Sequence, residues 1–79
     1  MLKADGFNDA IIGTVERADM GTVLLYDTDK CIDILMQDHG LTHESASEHF
    51  YFNVAGSYVG RETPCYASMK TPQEILELD

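Results

Sequence analysis

The sequence predicts an α+β domain: a small antiparallel sheet with two helices on one face, in the order β-β-α-α-β, followed by a short C-terminal helix. Three observations predict it. Two β-branched runs flank a glycine-containing turn at residues 18–21, two helical apolar stripes meet at Gly40, and a Thr-Pro-Gln-Glu start signal opens at Thr71. With 79 residues the chain has room for one core only. The organisation expected is a flexible N-terminus over residues 1–9 and a single domain over 10–79.

The first strand covers Ala10 to Arg17, where strict alternation places Ile11, Gly13 and Val15 on one face and Ile12, Thr14 and Glu16 on the other. Ala18 to Gly21 turns the chain into a second strand, Thr22 to Tyr26, and the pair reads as a hairpin. Asp27 then stands as an N-cap, able to accept from the open donors of a first helical turn, and Asp29 adds charge at the positive end of the dipole. Cys31, Ile32, Leu35 and Met36 form the apolar stripe of this first helix, and Gly40 ends it as a C′ residue.

Thr42 restarts the chain as an N-cap, with Leu41 placed to pack on Ala46 as a hydrophobic staple. The second helix is expected from Thr42 to about Val54. Its end carries Phe50, Tyr51 and Phe52, three consecutive aromatics about 100° apart that cannot all enter one shallow core, so one or more must meet another element or another chain. Asn53 needs partners for its amide there, in a neighbouring loop or across an interface. Gly56 and Gly60 loosen the chain around Tyr58, residues 61–64 form a loop whose Arg61 and Glu62 read as a solvent-facing ion pair or as a contact for an anion or a partner, and Cys65 to Met69 supplies a third strand. Thr71 at N-cap, Pro72 at N1 and Glu74 at N3 complete a capping box. The helix it opens is too short to stand alone in water, so Ile75, Leu76 and Leu78 must dock on something.

Fourteen acidic residues against five basic ones leave a formal charge of −9, which opposes phosphate backbones and anionic lipid headgroups alike. No direct nucleic-acid or membrane binding is expected, and the longest apolar run, Val23 to Tyr26, is far short of the ~20 residues of a membrane span. The charge concentrates in residues 27–48, where six carboxylates face one lysine, a net of −5. That segment reads either as a solvated helix surface or as an anionic patch aimed at a basic partner.

Two cysteines 34 positions apart, Cys31 and Cys65, have neither CxxC spacing nor the density of a disulfide scaffold, and read as packed thiols of a reducing cytoplasm. His39 and His43 stand four apart with Glu44, Glu48 and His49 nearby, but Gly40 breaks the helix between them, so no metal site is assigned. No nucleophile elbow, phosphate loop or other catalytic signature is present, and no catalytic residue or cofactor is assigned.

The stretch from Tyr26 to Tyr66, with its spacing of YDxDKCIxILM, GLTxExAxEHFxFNVxGxYVG and TPCY, resembles a family of small uncharacterised proteins encoded by tailed phages and marine viral metagenomes. Ser47 and Ser57 stand where larger apolar or aromatic residues are expected in that family. The resemblance implies a viral origin and a short accessory protein acting in host cytoplasm, and brings no activity or cofactor with it. Two classes of function follow. One is a non-enzymatic interaction module, a homo-oligomer that engages a host or viral protein through Asp29, Asp33, Glu44 and Glu48 or through Phe50, Tyr51, Phe52 and Tyr58, with mimicry of nucleic acid as its sharpest form. The alternative is a small metal- or thiol-dependent enzyme.

Overall fold

The computed structural model describes residues 1–78; the last residue of the expected domain lies outside them. Strands β1 (Ile11–Arg17) and β2 (Gly21–Asp27) pair antiparallel, helices α1 (Thr28–His39) and α2 (His43–His49) follow, a π-helical turn spans Phe50–Val54, and β3 (Cys65–Ala67) and α3 (Pro72–Leu76) close the chain. The α+β class and the element order are as the sequence predicts.

The expected helix signals are all present as hydrogen bonds. Asp27 accepts from the Lys30 amide at 3.2 Å, and Thr42 Oγ1 accepts from the Ser45 amide at 3.2 Å. Gly40 ends α1 in the left-handed region at φ 63°, where a Cβ is disfavoured. Thr71 and Glu74 exchange both capping-box bonds, each 3.2 Å.

The sheet differs from an all-antiparallel one. Its order is β1-β2-β3, and β3 runs parallel to β2, with Leu25, Tyr26 and Asp27 opposite Cys65, Tyr66 and Ala67. The two helices and the loop after them act as a crossover: Phe50 packs near the end of β2 through Tyr66, and the loop at Arg61 returns the chain to the hairpin tip, so the next strand leaves in the same direction as β2. The loop before β3 is tied to the hairpin tip by two arginines. Arg61 donates to the Asp19 carbonyl at 2.8 Å, and Arg17 donates to the carbonyls of Arg61 and Met20. Arg61 therefore holds a backbone carbonyl rather than pairing with Glu62, whose carboxylate lies 3.4 Å from the Met1 amino group.

Register also corrects the alternation read for β1. Ile11 pairs with Tyr26 but Gly13 pairs with Leu25, so a bulge at Ile12 shifts the count by one. Directly paired residues share a face, which places Ile11 with Tyr26 on the helix side and Gly13 and Val15 with Leu25 and Val23 on the other. Leu24, Tyr26, Cys31, Ile32, Leu35, Ala46 and Phe50 make the core under the two helices, with Leu41 packed against it as the staple requires.

Phe7 and Ala10 belong to that core too. The first nine residues are thus not a free tail: Phe7 is buried, a 3₁₀ turn over Asn8–Ala10 leads into β1, and the Ala4 amide donates to the Tyr26 hydroxyl at 2.8 Å. A buried phenol needs a polar partner, and this backbone amide supplies one.

Candidate interaction surfaces

The second helix does not continue to Val54 as an α-helix. The Phe50 amide donates to both Ala46 and Ser47 carbonyls, and the Ala55 amide donates to the Phe50 carbonyl at 2.8 Å, the five-residue spacing of a π turn. The aromatics separate accordingly. Phe50 is fully buried, edge-on to Tyr66 at 5.2 Å and to Tyr51 at 5.2 Å, and Tyr66 stacks on Tyr26 at 5.5 Å. Phe50 is therefore a core residue and not available to a partner, whereas Phe52 is 82% exposed, Tyr58 77% and Tyr51 more than half. Asn53 is exposed beside them, its amide 3.5 Å from His49 Nδ1 and its carbonyl accepting from the Ser57 hydroxyl at 3.0 Å.

Asp29 and Asp33 lie on the exposed side of α1, and Glu44 and Glu48 on that of α2. Each pair is four residues apart, an arrangement in which like charges repel on a helix face. Among the described residues the Met1–Glu62 contact is the one ion pair, so none of these four carboxylates makes a salt bridge, although Lys30 lies between Asp29 and Asp33 on α1. Asp27, by contrast, is engaged as the α1 cap. No three histidine, cysteine or carboxylate side chains converge among the described residues, since His39 closes α1 and His43 opens α2 across the Gly40 corner.

The two thiols sit on opposite sides of the sheet. Cys31 is buried under α1, and Cys65, half-buried, pairs with Leu25 on the far face. Burial first, and the Asp27 carboxylate second, push the Cys31 thiol up to about 11. In the unfolded chain it ionises near 9.0, so the folded state holds a proton that the unfolded state has released between those values. Stability is accordingly unaffected by this group below pH 9, then falls by about 1.4 kcal/mol per pH unit toward pH 11. Tyr66, pushed up to about 12 chiefly by burial, extends the loss from pH 10 upward. Urea titrations across this range test the expectation: Cys31→Ala starts less stable but lacks the onset near pH 9. A thiol reagent at neutral pH should label Cys65 in the native protein and reach Cys31 only through unfolding.

One feature is not foreshadowed by any motif. A groove of about 390 Å³ opens between the N-terminal segment and the end of the π turn, walled by Leu2, Phe7, Val54, Val59, Pro64 and Tyr66. Its N-terminal wall comes from residues that carry no periodic signal. α3 is the other surprise. Ile75, Leu76 and Leu78 are 52%, 71% and 70% exposed, so the docking expected of them is not met within the described chain.

No known protein family, curated protein or solved structure matches this chain. No helix is long and apolar enough to cross a membrane among the described residues.

Proposed function

We propose that the chain is a small acidic, non-enzymatic interaction module, a phage-type accessory protein that works as a homo-oligomer in host cytoplasm. It presents the α1–α2 carboxylates to a basic protein as a nucleic acid would present phosphates. The observation that carries this reading is the exposed set Asp29, Asp33, Glu44 and Glu48, none of them in a salt bridge, on two adjoining helices. Like charges at four-residue spacing cost helix stability, while a surface with an excess of negative charge steers a cationic partner and binds it in a salt-dependent way. The exposed aromatics Tyr51, Phe52 and Tyr58 offer further apolar contact area.

The test is retention of host-lysate proteins on the immobilised chain at low and high salt, compared with Asp29→Lys combined with Asp33→Lys. A basic nucleic-acid-binding protein retained at low salt, released at high salt and lost with the double reversal is the expected result. Retention that ignores both salt and reversal would make the anionic face mere solvation. The alternative of a thiol-dependent enzyme draws no support from Cys31, whose thiol is buried and held protonated at neutral pH.

A further inference from the structure

The residues ahead of β1 are fastened to the domain by a few contacts and by no strand pairing. We infer that residues 1–10 form a strap that opens and closes as a unit of its own while the sheet and helices stay folded, and that its opening removes one wall of the groove and bares the Tyr26 hydroxyl.

The backbone bonds of this segment are local. The Phe7 amide donates to the Ala4 carbonyl at 3.3 Å and the Ala10 amide to the Phe7 carbonyl at 2.9 Å, so neither ties the segment to another element. Pairing with β2 begins only at Ile11, opposite Tyr26. The ties that cross to the domain are the Ala4 amide on the Tyr26 hydroxyl at 2.8 Å, the buried Phe7 ring and Ala10, and an exposed contact from Met1 to Glu62 that salt screens. Phe7 is thus the anchor and Ala4 the latch. A segment held by so few buried contacts opens at a lower free energy than the paired strands or α1.

The groove is an independent reason. It lies between the segment and the rest of the domain, with Leu2 and Ala4 on one side and Val54, Val59 and Tyr66 on the other. Where that gap runs, the inner side of the segment lacks the dispersion contacts that would hold it down. On opening, water replaces the Ala4 amide as partner of the Tyr26 phenol, an exchange of one hydrogen bond for another.

Such a strap sets a ceiling on what damage at Phe7 can do. Substitution there weakens the closed form alone, so once the open form is the more stable of the two, a worse substitution costs nothing further.

Hydrogen exchange of the full chain, followed by nuclear magnetic resonance at rising urea below the unfolding transition, reads the opening. The Ala4, Phe7 and Ala10 amides are expected to exchange about a hundredfold faster than that of Leu35 inside α1, yet several-fold slower than in a free chain. Their rates should barely respond to urea, because a short segment exposes little surface. Phe7→Ala and Phe7→Asp should keep a native far-ultraviolet circular dichroism spectrum, bring the Ala4 and Ala10 amides to free-chain rates, and unfold at one common urea midpoint below that of wild type. Segment amides that share the rate and urea dependence of Leu35 would overturn the inference, and so would wild-type amides already at free-chain rates. A Phe7→Asp chain that unfolds well below the Phe7→Ala midpoint, or has no native spectrum, would overturn it too, by making the segment an integral part of the core.

Discussion

Replacing Phe50 with alanine is expected to lower the unfolding free energy by about 3–5 kcal/mol, the loss typical of a buried aromatic whose site cannot collapse. Phe50 is fully buried, touches Tyr66 and Tyr51 edge-on, and joins the helical layer to the sheet through the Tyr66–Tyr26 stack. A domain of this size has a stability near the lower end of the usual ~5–15 kcal/mol, so the variant should be largely unfolded at modest urea and melt tens of degrees lower. Phe52→Ala, two residues on, is the internal control. Its ring is 82% exposed, and its truncation should change stability by no more than about 0.5 kcal/mol. Equal losses from the two substitutions would mean that the π turn does not sort these rings as described.

Gly56→Ala should destabilise by about 1–3 kcal/mol, the range for forcing extra atoms into a packed position. The sign is the informative part. At an ordinary helical position the same change stabilises by about 0.5–1 kcal/mol, because alanine has less freedom to lose in the unfolded chain. Here a Cβ would lie 2.7 Å from the Tyr51 carbonyl oxygen and 3.1 Å from that of Phe52, both backbone atoms of the π turn, so the turn itself must shift. Urea unfolding of Gly56→Ala beside wild type gives the sign directly. A more stable variant would mean that the helix end can relax into ordinary α geometry and that the five-residue spacing is not required.

Local chemistry was sufficient wherever a few neighbouring residues decide the outcome. Asp27, Gly40, Thr42 and the Thr71–Glu74 box each act within one turn of chain, and each is where spacing places it. The hairpin follows for the same reason: strand-forming runs on either side of Ala18 to Gly21 need no distant contact to find each other. Cys31, Ile32 and Leu35 are buried because helical period alone puts them on one stripe. The exposed acids were also legible, since residues outside the apolar stripe of a surface helix face water.

Other features depend on contacts between segments far apart in the chain. The parallel pairing of β3 is set by the loop that returns the chain to the hairpin tip, and the Arg17 and Arg61 carbonyl contacts that tie it there span more than forty residues. A bulge at Ile12 reverses which face Ile11 meets, a shift of one residue that an alternating pattern cannot reveal. Phe7 looked like part of a frayed end because its segment has no period, yet the Tyr26 hydroxyl and a vacant edge of the core hold that segment in place.

The aromatic run divides the two kinds of information most clearly. That Phe50, Tyr51 and Phe52 could not all be buried follows from their adjacency, since neighbouring helical residues point in different directions. Which one is buried depends on distant contacts, namely the π turn that Gly56 permits and Tyr66 arriving from β3 to receive the Phe50 ring.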